Sequence, residues 1–170
     1  TKALLRSAEV GHLLSNLGKY GFTAKDIQFD ISKIVKRSRN ASNQLAKGVS
    51  YLLKKNKVAI FEGAGRLNGT GHVQIEKDNN TVTLKAEHII LATGARAADA
   101  PGLEADGKSV WTYKEAMVPK KLPKSLLVVG SGAIGMEFAS FYRDLGSEVT
   151  VVEVMDSILP LEDAEISSFA

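Results

Sequence analysis

Residues 130–135 read Gly130-Ser131-Gly132-Ala133-Ile134-Gly135, placed between the apolar run 126–129 and a segment where Ile134, Phe138, Phe141 and Leu145 recur at helical spacing. A second apolar run over 148–153 ends on Glu153, 23 positions after the first glycine. Strand, glycine turn, helix and a strand ending in a carboxylate form the pattern of a dinucleotide cradle. Gly130 permits the tight turn out of the strand, Gly132 lets the backbone approach a pyrophosphate, and Gly135 lets the helix pack close to the sheet. The helix start, with Ser131, Ala133, Ile134 and Met136 around the glycines, presents unpaired amides and a positive dipole end to phosphates. Glu153 can accept hydrogen bonds from the hydroxyls of an adenosine ribose. It would repel a 2′-phosphate, and residues 154–158 hold no Arg or Lys to attract one. The pattern favours NAD over NADP. Taken alone, the same residues also describe a structural glycine turn beside a solvated carboxylate.

Several elements must position this turn. Residues 1–17 carry Leu4, Leu5, Ala8 and His12 at helical spacing, with Gly18 and Gly21 as stops. Ile27, Ile31, Ile34, Ser38, Ala41, Leu45, Val49 and Leu52 then draw one stripe along a long helix, which Asp26 or Asp30 could cap. After Lys57 the period changes. Residues 58–61 predict a short strand, and 72–76 with 81–85 predict a β-hairpin around a polar turn. Residues 88–92 form a continuous apolar run before Thr93-Gly94, which predicts a buried strand whose end meets something close to its backbone. Residues 95–122, with breaks at Pro101-Gly102, Asp106-Gly107 and Pro119, and with Pro123 just beyond, predict a connector. Residues 126–129 predict a buried strand, and 163–170 a final helix.

Composition bounds the rest. A chain of 170 residues with 44% hydrophobic and 24% charged residues has the make-up of a folded protein rather than a disordered tail. No apolar run approaches the roughly 20 residues that cross a bilayer, so no membrane span is expected. Cysteine is absent, which removes a disulfide framework, a thiolate metal site and a cysteine nucleophile from this stretch and leaves the compartment open. The chain opens on Thr1 with no basic leader or signal-type apolar stretch. The net charge of +3 is uneven: residues 1–57 hold twelve basic and three acidic residues, residues 58–170 ten and sixteen. Most of the basic block falls on the polar face of the long helix, and nucleic acid is not an expected partner. His12, His72 and His88 lack ligand spacing, so no metal is expected. Ser131 lies outside a Gly-x-Ser-x-Gly elbow, so no hydrolase nucleophile is expected either.

With the glycine turn placed, the whole chain resembles the dihydrolipoamide dehydrogenases of the pyridine nucleotide–disulfide oxidoreductase family. The resemblance rests on Thr1-Lys2-Ala3-Leu4-Leu5, Gly63-Ala64-Gly65, Ile89-Ile90-Leu91-Ala92-Thr93-Gly94-Ala95, and Gly130-Ser131-Gly132-Ala133-Ile134-Gly135-Met136-Glu137-Phe138, in that order. It implies an α/β fold of FAD- and NAD(P)-binding Rossmann-like modules, both incomplete here, with a long helix and a β-hairpin from the FAD domain. Residues 1–115 would be the later part of an FAD-binding domain and residues 116–170 the beginning of an NAD-binding domain. The family's redox cysteines would lie just before Thr1, and its His–Glu acid/base pair beyond Ala170, so no catalytic residue is expected in this chain and the chain alone is expected to be inactive.

The resemblance also assigns binding roles. Lys2, on its own an ordinary exposed lysine, matches the family lysine beside the flavin ring. Gly65, otherwise a turn glycine, matches the position that meets the FAD adenine. Thr93, Gly94 and Ala95 match the turn near the FAD phosphate and ribitol. Glu137, otherwise a surface helix residue, matches the acid that pairs with the flavin-side lysine. The implied cofactors are FAD and NAD, and the implied partners are lipoyl domains of 2-oxo acid dehydrogenase complexes, in bacterial cytoplasm or mitochondrial matrix. The intact parent would be a homodimer. Another disulfide reductase of the family is the alternative within the enzyme class; a non-catalytic basic-helix module that binds nucleic acid is the alternative from a different class.

Overall fold

A computed structural model describes residues 1–98 and 100–170. In chain order the elements are α1 (Lys2–Ser15), a 3₁₀ turn (Leu17–Tyr20), α2 (Ile31–Lys55), β1 (Ala64–Leu67), β2 (His72–Lys77), β3 (Asn80–Lys85), α3 (Tyr113–Ala116), β4 (Ser125–Val129), α4 (Ala133–Asp144), β5 (Glu148–Val152) and α5 (Ala164–Phe169). They divide into two compact units, one of Thr1–Asn43 with Ala97–Ala170 and one of Gln44–Arg96.

The first unit is built on a helix pair. Leu4 and Ala8, one turn apart on α1, are fully buried against Phe138, Phe141, Tyr142 and Leu145 of the α4 segment. Removing these side chains from water supplies the main favourable term for this unit. The Phe141 and Tyr142 rings meet edge to face at 4.9 Å, the arrangement that ring quadrupoles favour. Tyr142 is completely buried, and its hydroxyl donates to the Ala116 carbonyl at 2.8 Å, so its one polar atom is satisfied. Beneath α4, β4 and β5 pair in parallel with Leu126 opposite Val149 and Val129 opposite Val152. The predicted burial of residues 126–129 holds on one face only. Leu126 and Val128 are partly buried, while Leu127 and Val129 are exposed, because α4 covers a single side of this two-stranded sheet. Ile134, expected on the buried face of α4, is likewise exposed in the first turn of the helix.

Asp30, rather than Asp26, caps α2; its Oδ1 accepts from the amides of Ser32 at 2.8 Å and Lys33 at 3.3 Å. Asp26 adopts a left-handed φ of 54° outside the helix. Along the predicted stripe, Ile31 and Ile34 pack against the core of the first unit, and Ser38 is buried. Leu45, Val49 and Leu52 are exposed. The spacing was sufficient to define an apolar face, but a face is buried only where another element meets it.

The second unit is an antiparallel meander in the order β1-β2-β3. The hairpin stands in the predicted place, with Lys77 opposite Asn80. Its two turn residues, Asp78 and Asn79, both take left-handed φ (49° and 64°), the turn whose twist matches paired strands. Two predicted strands do not form. Residues 58–61 are irregular, and the chain joins the sheet only at Gly63, so close to Glu76 that a Cβ would lie 2.7 Å from its carbonyl oxygen. Pairing therefore starts at Ala64, opposite Glu76. Residues 88–92 are also outside any strand, and Ile90 is 90% exposed. A buried parallel strand needs neighbours on both edges, and none among the described residues pairs with this run. Nor, among the described residues, would a Cβ added at Gly94 meet anything within 4 Å.

Candidate functional site

The glycine turn joins β4 to α4 and carries three glycines with three different geometries. Gly130 has φ +98°, in the region that favours glycine, and its amide extends the sheet ladder to Val152 at 2.9 Å. Gly132 is the N-cap of α4 with φ −64°, and a Cβ there would meet nothing within 4 Å. Among the described residues, the backbone there is left open to close approach. Gly135 is the reverse: a Cβ would fall 2.2 Å from the Gly130 carbonyl oxygen and 3.3 Å from Val128. Here the helix is pressed onto the turn, as the third glycine of the motif predicts. Ala133, Ile134 and Gly135 are the first residues of α4, so their amides have no acceptor one turn back within the helix. Such amides and the positive end of the helix dipole can attract an anion. An apolar hollow of about 730 Å³ borders the turn, with Trp111, Leu126, Gly130, Ala133, Ile134 and Phe138 in its wall.

Glu153 follows β5 directly and reaches back across the turn. Its Oε2 accepts from the Ser131 amide and from the Ser131 hydroxyl, each at 2.7 Å. Its Oε1 accepts from the amides of Val154 at 2.7 Å and Met155 at 3.0 Å. The Ser131 hydroxyl, followed by these amides, holds the carboxyl down at about 2, against an ordinary 4.5, because all four donors favour the ionised form. This has a sign for stability. With a folded-state pKa below the unfolded one, the contribution is complete above about 4.5 and is lost as pH falls through about 2. A Glu153→Gln variant should therefore show a flatter dependence of unfolding free energy on pH across that window than the parent. Denaturant titrations at about pH 5 and about pH 3 measure it; parallel curves for the two proteins would refute the linkage.

Lys2 and Glu137, 135 positions apart, are joined by an ion pair between α1 and α4. The lysine amine remains 85% exposed and the carboxylate 22% exposed. Hydrogen bonds from Lys2, then Thr1, hold the Glu137 carboxyl below its usual range. Met136 stands beside it in the first turn of α4, its amide donating to the Gly132 carbonyl at 3.0 Å. Thus Ser131 to Met136 and Glu153 are assembled at one end of α4, and Lys2 joins Glu137 on its flank. Gly65 and Thr93 to Ala95 belong to the second unit, Gly65 in β1 opposite Ile75 and the other three in an exposed irregular segment.

Sequence reasoning missed several supporting contacts. Thr112 and Glu115 form a reciprocal capping box on α3; the Thr-x-x-Glu spacing was legible. The Ser131 hydroxyl has no spacing signature for its bond to Glu153. The Leu159 amide donates to the Ser131 carbonyl at 3.1 Å, and the Ser167 hydroxyl donates to the Leu159 carbonyl at 3.0 Å. Leu159 holds a left-handed φ of 49° to do so, which nothing about a leucine announces.

A strand–glycine turn–helix–strand unit with a carboxylate closing over the turn defines a dinucleotide-binding module of the Rossmann type. The family model of the pyridine nucleotide-disulphide oxidoreductases matches residues 1–170, and the chain belongs to that family. It is 51% identical over 170 residues to the dihydrolipoyl dehydrogenase of Zymomonas mobilis, covering 99% of this chain and 36% of that protein. It is 47% identical to the dihydrolipoyl dehydrogenase of Rhizobium etli, covering all of this chain and 39% of that protein. Among solved structures it is similar to LpdA from Mycobacterium tuberculosis, with a TM-score of 0.87 and 27% identity over 99% of this chain and 37% of that one. The chain thus spans little more than a third of the length of these relatives. The family and its FAD and NAD(P) cofactors agree with those implied by the sequence motifs. No helix among the described residues is long and apolar enough to cross a membrane.

Proposed function

We propose that this chain is the cofactor-positioning part of an NAD-dependent dihydrolipoamide dehydrogenase. In that reaction a dihydrolipoyl dithiol is oxidised to the disulfide and NAD⁺ is reduced to NADH with release of a proton. Electrons pass through an enzyme disulfide, which the cysteine-free chain does not contain, and through FAD, which mediates between thiol and nicotinamide chemistry. Residues 1–115 would contribute the later part of the FAD-binding domain, and residues 116–170 the start of the NAD-binding domain. Lipoyl domains of 2-oxo acid dehydrogenase complexes are the proposed partners, a homodimer the proposed assembly, and bacterial cytoplasm or mitochondrial matrix the proposed location.

The observation that carries the reading is the glycine turn closed by Glu153 at Ser131. The residues present fit a dinucleotide. The amides of Ala133, Ile134 and Gly135 would face an anion, the open space at Gly132 would admit a pyrophosphate, and the ionised Glu153 carboxylate would serve as acceptor for ribose hydroxyls. Lys2, held by Glu137, would place a cation at the flavin; Gly65 and Thr93 to Ala95 would line its adenosine and phosphate ends. Cofactor selectivity tests the assignment. In the complete flavoenzyme NADH should bind more tightly than NADPH, and Glu153→Ala should narrow the difference by about tenfold, chiefly by weakening NADH, because hydrogen bonds to an ionised carboxylate are lost. Equal use of both nucleotides by the unmutated enzyme would defeat the assignment.

A further inference from the structure

The Glu153 carboxylate is saturated before any nucleotide arrives. An ionised carboxylate offers about four lone-pair positions, and four donors are already in place: the amides of Ser131, Val154 and Met155, and the Ser131 hydroxyl. The proposed function requires the same carboxylate to accept from ribose hydroxyls, so a donor has to leave. Three of the four are backbone amides. That of Ser131 is pinned from both sides, by the Gly130 amide on Val152 at 2.9 Å and by the Leu159 amide on the Ser131 carbonyl at 3.1 Å. The amides of Val154 and Met155 belong to the segment that leaves β5, and that segment is anchored again at Leu159, whose carbonyl accepts from Ser167 on α5. Only the Ser131 hydroxyl can withdraw by rotation about a side-chain bond, with no movement of the backbone.

We infer that the Ser131 hydroxyl is an exchangeable donor that occupies, in the free protein, the acceptor position a ribose hydroxyl takes in the complex, and so limits dinucleotide affinity. The inference rests on the reading of Glu153 as the ribose acceptor. Its chemistry is one O–H donor replacing another at the same oxygen, at 2.7 Å in the free state. Ser131 is completely buried, so its hydroxyl, once displaced, has no access to solvent and must find another acceptor inside the turn. That makes binding costlier than if the position held water, which leaves at little cost.

The test is NADH affinity in the full-length protein with its flavin bound. Ser131→Ala should lower the Kd for NADH by about threefold to tenfold, the scale of one hydrogen bond to an ionised group that no longer has to be broken on binding. Alanine fits, since Ser131 is not among the residues with left-handed φ; Ser131→Gly carries the same expectation should the alanine variant misfold. In a Glu153→Ala background the serine substitution should have no effect, because the competition has lost its object. An unchanged or raised Kd in Ser131→Ala overturns the inference. So does a gain that persists without Glu153, which would mark a packing effect. If Glu153→Ala itself leaves NADH binding unaltered, the fault lies with the ribose-acceptor reading; if Glu153→Ala weakens NADH and Ser131→Ala does not tighten it, the exchange alone is wrong.

Discussion

Gly135→Ala is expected to lose stability and nucleotide binding together. The added Cβ would lie 2.2 Å from the Gly130 carbonyl oxygen, an overlap between two backbone segments, neither of which ends in a flexible side chain that can turn aside. Relief requires α4 to lift from the turn, and α4 carries Phe138, Phe141 and Tyr142 in the core. Overpacking of this kind costs typically ~1–3 kcal/mol; with backbone on both sides, the upper end, about 3 kcal/mol, is expected in denaturant titration. Displacing α4 also moves the amides of Ala133 and Ile134 from the proposed phosphate site, so NADH binding should fall by more than about tenfold. Gly132→Ala provides the contrast. Its Cβ meets nothing in the free protein and its φ of −64° suits alanine. Stability should be nearly unchanged while NADH affinity drops, because the methyl group would occupy the proposed path of the pyrophosphate. Equal stability losses in the two variants would contradict the separate roles assigned to these glycines.

Glu137→Gln should leave the fold intact and impair electron transfer. The Lys2–Glu137 pair joins α1 to α4, but the lysine amine is 85% exposed. Solvent therefore screens the pair, and its loss should cost about 1 kcal/mol or less. That differs from the larger penalty expected had both charges been desolvated. The kinetic effect is larger. In the proposed flavoenzyme, Glu137 is a positioning residue that fixes the Lys2 amine, whose positive charge would favour the negative charge developing on the reduced flavin. A glutamine can still accept a hydrogen bond but no longer anchors the ammonium by charge. Misplacement by about an ångström can cost up to roughly a hundredfold. Stopped-flow reduction by NADH should accordingly slow by between about tenfold and a hundredfold, with a shifted flavin absorption spectrum. An unchanged spectrum and an unchanged reductive rate would remove Glu137 from this role.

The parts legible in the sequence are those set by near neighbours along the chain. The strand–turn–helix order at β4 and α4, the hairpin turn at Asp78-Asn79 and an acidic cap for α2, left open between Asp26 and Asp30, each depend on residues within a few positions of one another. Hydrogen bonding and steric preference over that range are encoded in the residue types themselves. The same holds for the three glycines of the turn, whose separate demands on φ, approach and packing follow from the order strand, turn, helix.

Tertiary structure decided burial and long-range pairing. Residues 58–61 and 88–92 have strand-forming composition, yet neither finds a ladder partner among the described residues, and composition cannot supply one. The apolar stripe of α2 is covered at Ile31 and Ile34 and bare from Leu45 onward, though its period is continuous. Glu153 was readable as a carboxylate at the end of a strand, but its saturation by Ser131, Val154 and Met155 was not. Which donor a carboxylate meets depends on how a turn 22 residues away is folded against it. Local pattern determines what an element offers; only the packed chain determines which offers are taken, because desolvation and hydrogen-bond geometry are properties of neighbours in space.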